Sequence, residues 1–154
     1  MRAKNYEVRS YSNVGDFLMV EIPDAPGCIL LDMYLPGPNG LDLQSSLAST
    51  PFPCLPIIFM SGRADIPIAV KAMKKGALDF LEKPLRSETL LPAVQTAITR
   101  SIRDFGIREQ MRAAHACYEA LTKRETEVFA HVVAGKMNKE IAAELGTAER
   151  TVKA

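Results

Sequence analysis

The stretch CILLDMYLPGPNG, residues 28–40, decides the fold, because its apolar start runs into an acid and then into a Pro/Gly-rich turn. Four apolar residues in succession predict a fully buried strand of a parallel sheet. Asp32 then stands at the carboxyl end of that strand, where open α/β sheets bind their ligands. An acid that caps the strand end or makes an Asx-turn is the alternative interpretation.

The first two thirds of the chain alternate between strand and helix. We predict strands at 6–11, 28–31, 56–60 and 77–81, and helices at 14–20, 40–49 and 66–75. Alternating elements with short connections imply right-handed crossovers and a parallel sheet. The predicted class is therefore an α/β domain with a doubly wound parallel sheet.

Composition restricts the kinds of protein to consider. The 154 residues are 47% hydrophobic and 24% charged, with a net charge of +1, so a role on nucleic acid must be argued from a motif. The three cysteines lack the paired spacing of a zinc or redox site and fit a reducing cytoplasm. No secretory segment opens the chain, and no apolar run approaches the ~20 residues of a membrane helix. We expect a cytoplasmic protein without a membrane partner.

Two further polar residues follow predicted strands as Asp32 does. Ser61 follows LPIIFM and Lys83 follows DFLE, so an acid, a hydroxyl and an amine reach one edge of one sheet. A carboxylate can attack phosphorus and form an acyl phosphate. A hydroxyl can donate to a phosphoryl oxygen, and a lysine offsets the added charge. Singly, Ser61 is typical of a turn and Lys83 of a solvated surface, but together they predict a phosphoryl-accepting site.

The segments CILLDMYLPGPNG, PIIFMSGRAD and GALDFLEKP resemble the receiver domain of two-component response regulators, over roughly residues 5–100. The resemblance implies a flavodoxin-like fold with Asp32 as phosphoacceptor and Ser61 and Lys83 as phosphoryl-switch residues. It also implies a cis peptide before Pro84. Phe80 occupies the place of the aromatic ring that turns inward on phosphorylation, and plain core packing is its other interpretation.

The same resemblance implies Mg²⁺, held by the phosphoacceptor Asp32, the backbone carbonyl of Tyr34 and an acid pair on a first strand. That strand and its acid pair are missing here, and a carboxylate with one carbonyl makes a poor site for a hard cation. We therefore expect a competent Mg²⁺ site in the complete family member rather than in this chain. Without the first strand, strand 6–11 either pairs with 28–32 or leaves two sheet edges open.

After Pro84 we predict one more receiver helix. Pro92 would break a helix capped at Ser87, so we expect the cap at Thr89, which puts proline at the third helical position. The apolar stripe fades near Gly106, which indicates a helical linker. A coiled-coil dimer seam is the alternative.

The last stretch, LTKRETEVFAHVVAGKMNKEIAAELGTAERTVKA, predicts three short helices. Thr122 or its neighbour caps the first helix and Gly135 ends it, Asn138 caps the second, and the chain turns at Gly146 into the third. A generic three-helix unit fits this pattern. The segments LTKRETEV, AGKMNKEIAAELG and TVK, however, resemble the LuxR/FixJ-type helix-turn-helix domain.

That resemblance implies that Lys139 contacts phosphate, whereas Thr151 and Lys153 begin the recognition helix in the major groove. The rest of that helix and a fourth, dimer-forming helix are missing. We therefore expect a chain truncated at both ends.

The resulting domain prediction is a receiver at 1–100, a helical linker at 101–119 and a helix-turn-helix domain at 120–154. The leading hypothesis is a phosphorylation-controlled transcriptional response regulator and not an enzyme. Its implied partners are a sensor histidine kinase, promoter DNA, RNA polymerase and, on phosphorylation, a second copy. The first alternative is a truncated, phosphorylation-independent interaction or dimerisation module. The second, a haloacid-dehalogenase-type phosphatase, requires an acid where this chain has Tyr34.

Overall fold

A computed structural model describes residues 6–35, 39–48, 55–62 and 66–152. The chain divides into two compact units, residues 1–107 and 108–154. The first unit contains all the described strands, and the second is helical. No helix in the described ranges combines the length and the apolar character needed to cross a lipid bilayer.

The first unit is built on a parallel sheet. Its strands are β1 (Ile29–Asp32), β2 (Ile57–Ser61) and β3 (Asp79–Glu82), in the spatial order β1-β2-β3. Its helices are α1 (Val14–Leu18), α2 (Gly40–Ala48), α3 (Ile66–Lys74) and the beginning of α4 (Ser87–Glu119). The predicted doubly wound α/β class is confirmed.

Successive residues of the central strand β2 point to opposite faces of the sheet, and each face has its own core. Ile57 and Phe59 pack into a cluster with residues of α1, α2 and α3. Ile58 packs into a second cluster with Ala93, Val94 and Ala97 of α4. Full burial of a large apolar side chain contributes roughly 1.5–3 kcal/mol. Ile58 and Phe59 are completely buried, so β2 is the centre of the unit.

The prediction of a strand at 6–11 is wrong, because this segment forms no ladder with the sheet. The alternation of polar and apolar residues indicates two faces but does not supply a hydrogen-bonding partner. Only Tyr6 and Tyr11 are half-buried, and the four residues between them are exposed. The Tyr6 hydroxyl donates to Gln95 Oε1 of α4 at 2.9 Å, so the segment is attached to a helix.

β1 therefore lies at an edge of the described sheet. The N–H groups of Ile29 and Met33 donate to carbonyls of Pro56 and Met60, at 2.9 and 2.8 Å. Since alternate residues of a strand direct their main-chain groups to opposite sides, those of Leu30 point away from β2. Within the ranges the structure describes, no strand pairs with that side.

The prediction of a helix cap at Thr89 is also wrong. α4 begins at Ser87, the Leu90 N–H donates to the Arg86 carbonyl at 2.9 Å, and Pro92 lies inside the helix. Proline removes one hydrogen bond of the ladder, but Pro92 is exposed and close to the helix start. Burial of the neighbouring apolar residues on the opposite face outweighs that loss.

The second unit contains three short helices after the end of α4. These are α5 (Lys123–Val133), α6 (Asn138–Glu144) and α7 (Glu149–Val152). Thr122 caps α5 in a reciprocal capping box with Glu125, as predicted for the cap. Gly135 and Gly146 follow α5 and α6 with φ of 78° and 61°, a conformation that favours glycine.

The predicted cap of α6 is displaced by one residue. Asn138 is the first helical residue and Met137 is the N-cap. The Met137 N–H donates to Glu140 Oε2 at 2.8 Å. The acid three residues into the motif thus satisfies the helix start in place of an Asn side chain, as in the Glu half of a capping box.

Candidate functional site

Three strand ends place the predicted acid, hydroxyl and amine at the same edge of the sheet. Asp32 is the last residue of β1, Ser61 is the last of β2, and Lys83 follows β3 directly. The strands are parallel, so their carboxyl ends face the same way. The Lys83 N–H donates to the Ser61 carbonyl at 2.7 Å, which extends the ladder by one bond and sets the position of the lysine.

The Lys83 amine reaches across β2 to the Asp32 carboxylate. Lys83 Nζ donates to Asp32 Oδ2 and forms an ion pair with it. The other oxygen, Oδ1, accepts from the Tyr34 N–H at 3.1 Å. The side chains are 39% and 28% exposed for Lys83 and Asp32, so the pair is accessible but partly shielded.

Opposing effects act on the Asp32 carboxyl group. Desolvation raises its pKa, whereas the Lys83 hydrogen bond, the Tyr34 N–H and the lysine charge lower it, and the net result is a pKa below the ordinary value of an aspartic acid. The group is therefore a carboxylate at neutral pH. An ionised carboxylate is the form in which an aspartate attacks an electrophile.

The pair lies in an open cleft of about 490 Å³ lined by Asp32, Tyr34, Gly62 and Lys83. The peptide bond between Lys83 and Pro84 is cis, as the resemblance implied. The cleft is thus formed by main-chain turns after three strands and is open to a small charged group.

Ser61 and Phe80 are not among the residues that line this cleft. Ser61 is 1% exposed, so its hydroxyl is covered in this conformation. Phe80 is half-buried and packs beside Phe59, with ring centroids 6.4 Å apart. Phe80 thus contributes to the core in the conformation seen here, and the switching roles of both residues stay predictions.

The described residues do not fit a Mg²⁺ ion. Both Asp32 oxygens already accept hydrogen bonds, one of them from a cation. In the described ranges, no three His, Cys, Asp or Glu side chains come together as a potential metal cluster. A hard cation requires several oxygen ligands, so we derive no chemistry from a metal at this cleft.

The residues predicted to bind DNA lie in the second unit. Lys139 is exposed in the first turn of α6, and Thr151 is exposed in α7. Lys153 lies outside the described residues. Lys139 and Thr151 thus belong to the two helices on either side of the Gly146 turn.

Some contributions to the site were missed at the sequence level. A Cβ at Gly40 would stand 2.8 Å from Phe59 Cε1 and 3.2 Å from the Asp32 carbonyl oxygen. Glycine here lets α2 start directly against the end of β1. The Pro/Gly-rich turn was a signal for this close approach. The Tyr34 N–H was missed because only its carbonyl was considered.

A doubly wound sheet with an acid, a hydroxyl and an amine at its strand ends, followed by a helix-turn-helix unit, is the architecture of response regulators. The chain belongs to this family. Residues 1–95 match the family model of the response regulator receiver domain, and residues 119–154 match that of bacterial regulatory proteins of the luxR family.

Known proteins resemble the chain over almost its full length. Nodulation protein W of Bradyrhizobium diazoefficiens is 42% identical over 99% of this chain and 66% of the relative. Response regulator protein TmoT of Ectopseudomonas mendocina is 42% identical over 99% of this chain and 69% of the relative. The response regulator StyR has a solved structure with a TM-score of 0.84 and 38% identity, covering 99% and 76% of the two chains. The chain spans about two thirds of the length of these curated relatives.

Proposed function

We propose that this chain is the phosphoryl-accepting and DNA-binding part of a transcription regulator, with Asp32 as the phosphoacceptor. The observation that carries the proposal is the contact of Lys83 Nζ with Asp32 Oδ2 at the ends of β3 and β1. The ionised Asp32 carboxylate is paired with the Lys83 ammonium and lies in an open cleft. Such a group is suited to accepting a phosphoryl group.

In the proposed reaction an Asp32 oxygen attacks the phosphorus of the donor. The new bond joins that oxygen to phosphorus, and the bond from phosphorus to the donor's leaving group breaks, with its electron pair departing on the donor. The Lys83 ammonium then pairs with the phosphoryl oxygens instead of the carboxylate. Ser61 supplies its hydroxyl to the new group, and Phe80 follows it inward, which remodels the surface near α3 and β3.

The proposed domain organisation is a receiver domain at 1–100, a helical linker at 101–119 and a DNA-binding domain at 120–154. A sensor histidine kinase is the donor, and promoter DNA, RNA polymerase and a second phosphorylated copy are the later partners. Lys139 contacts phosphate, and Thr151 and Lys153 belong to the recognition helix. The protein works in the cytoplasm, where the DNA is, and acts as a regulator rather than an enzyme.

Phosphotransfer from acetyl phosphate tests the acceptor. Intact-mass spectra of the chain should show a phosphoryl adduct that Asp32→Asn abolishes. Asp42→Asn is the control, because Asp42 is an exposed acid on α2 outside the cleft. Since the described residues lack a metal site, we expect slow labelling that Mg²⁺ changes little. An adduct that persists in Asp32→Asn, or no adduct on any variant, contradicts the proposal.

One observation favours a second candidate, a phosphorylation-independent interaction module. Each Asp32 oxygen already accepts a hydrogen bond, and the Lys83 ammonium balances the carboxylate charge. The charges in the cleft are therefore paired without a phosphoryl group. If acetyl phosphate leaves every variant unlabelled while the folded chain still binds DNA, this candidate replaces the first.

A further inference from the structure

The LTKRETEV motif contains a side chain with no role in the phosphoryl site or in the predicted DNA contacts. Arg124 lies in the first turn of α5, and its guanidinium donates to the Leu145 carbonyl at the end of α6. The same guanidinium pairs with Glu127, one turn further along α5, at 2.7 Å. One side chain therefore connects the start of α5 to the turn between α6 and α7.

The Arg124 guanidinium gives the Leu145 carbonyl a donor that the main chain at the end of α6 does not. At the end of α6 the Thr147 N–H donates to Ala142 at 2.9 Å and the Gly146 N–H to Ala143 at 3.4 Å, a Schellman pattern. This pattern satisfies the carbonyls of Ala142 and Ala143, whereas Leu145 lies beyond it. A cation is also favoured at a helix C-terminus, where the partial charge is negative.

The last turn of α6 also contacts residues at the C-terminal end of α5 and just after it. Glu144 Oε2 accepts from Lys136 Nζ at 2.5 Å and lies 3.5 Å from His131 Nδ1. An acid in the last turn of a helix is unfavourable against the helix dipole, and the Lys136 ammonium offsets it. The end of α6 thus contacts Arg124 in the first turn of α5 and His131 in its last turn.

The sequence of α7 contains few features that would fix the start of the helix. Its described part is four residues long and follows Ala148, whose side chain has no hydrogen-bond acceptor for the first amides. The Thr151 N–H donates to the Ala148 carbonyl at 2.9 Å, so the first turn of α7 continues directly from the loop. Its direction therefore depends on how firmly the loop is held.

We infer that Arg124 is a positioning residue, which orients α7 by holding the α6–α7 turn through the Leu145 carbonyl. The inference rests on the proposed function only in that α7 is the helix presented to DNA. Arg124 acts through the turn and does not itself need to touch the nucleic acid.

Backbone order parameters from ¹⁵N relaxation of the full chain test the inference without DNA. Arg124→Met removes all donors and one charge but keeps an unbranched stem. Lys123→Met is the matched control, because Lys123 is adjacent, exposed and without a side-chain partner in the described parts of the chain. Arg124→Lys keeps the charge and one donor group and is the conservative rescue.

In the wild type and in Lys123→Met, residues 146–152 should have order parameters near ~0.85, as in α6. In Arg124→Met those of 146–152 should fall below ~0.6, whereas those of α5 and α6 stay high. Arg124→Lys should recover most of the order. The inference is overturned if 146–152 are flexible in the wild type, if Arg124→Met leaves them rigid, or if α5 and α6 loosen equally.

Fluorescence anisotropy with a random-sequence duplex of about two helical turns provides the second measurement. Arg124→Met should weaken binding by about tenfold more than Lys123→Met, or about 1.4 kcal/mol. Equal weakening would mean that Arg124 acts through its charge alone and would overturn the positioning role. If the wild type binds no duplex, the proposed DNA-binding function fails, while the relaxation data still decide the role of Arg124.

Discussion

The carboxylate of Asp32 shows how two hydrogen-bond donors determine the ionisation state of one residue. Partial desolvation alone would favour the neutral acid, but the Lys83 amine and the Tyr34 N–H both stabilise the anion. Since the folded pKa lies below the unfolded value, the pair adds stability above about pH 4. That contribution is lost as the pH falls through the folded pKa.

Lys83→Met should therefore raise the pKa of Asp32, because desolvation then acts with only the Tyr34 N–H against it. The difference in unfolding free energy between wild type and variant should be largest near neutral pH and should shrink at acid pH. The carboxyl ¹³C shift of Asp32, titrated by NMR, measures the pKa directly. Lys75→Met is the control, since Lys75 donates to Ser45 at 2.7 Å, outside the cleft. An unchanged Asp32 pKa in Lys83→Met would contradict the ion pair.

Gly40→Ala should destabilise the first unit by about 1–3 kcal/mol, because the new methyl group would overlap a completely buried phenyl ring. Urea unfolding followed by circular dichroism measures the change. The matched control is Gly106→Ala, where a Cβ meets nothing within 4 Å. Gly106 is exposed on α4, so alanine should stabilise there by roughly 0.5–1 kcal/mol. Equal effects of the two substitutions would refute close packing at Gly40.

Among the elements, α4 shows that burial can override a local sequence rule. Its 33 residues include a proline that local propensity would exclude. The helix nevertheless starts before Pro92, because Ala93, Val94 and Ala97 cover the sheet. The missing hydrogen bond, from position 92 to the Glu88 carbonyl, lies at the exposed start of the helix.

Pro92→Ala should restore that bond and stabilise the first unit by about 1–3 kcal/mol, reduced somewhat by the greater freedom of the unfolded chain. The urea midpoint at constant slope gives the value. Thr99→Ala, also exposed on α4, should gain at most about 0.7 kcal/mol from helix propensity. If Pro92→Ala has no effect or lowers stability, the ladder is not interrupted at this position.

The elements also show which parts of the structure are readable from the sequence. β1, β2 and β3 were predicted to within two residues, because short apolar runs between turn residues leave few other structures. The strand ends then brought Asp32 and Lys83 together without further information. Segment 6–11 failed because alternation does not reveal whether a pairing partner is present. The contact of Arg124 with Leu145 spans 21 residues through a long flexible side chain, which no pattern encodes.

At the scale of the whole molecule, a nearly neutral chain carries a DNA-binding unit. With a net charge of +1, any attraction to DNA must come from local placement of basic side chains. Lys139 is exposed at the start of α6 and is the described residue we assign to phosphate. Such a contact affects binding to all sequences alike.

Lys139→Gln should weaken binding to operator and random duplexes equally, and should reduce the slope of log affinity against log salt by about 1. Fluorescence anisotropy over a salt series measures that slope. Lys74→Gln is the control, because it removes the same charge from α3 of the first unit. If both variants change the slope equally, the effect is one of net charge. If neither does, Lys139 is not a phosphate contact.

The outward-facing main chain of β1 has a consequence for the colloidal behaviour of the protein. A strand with apolar residues on both faces, and with one edge that pairs with no other strand in the described ranges, is a template on which other chains can add. The charged pair Glu7 and Arg9, with oxygen and nitrogen 3.0 Å apart, belongs to a segment that stays out of the sheet. Concentrated solutions of this chain should therefore aggregate through cross-β contacts that start at this edge, with a rise in thioflavin T fluorescence.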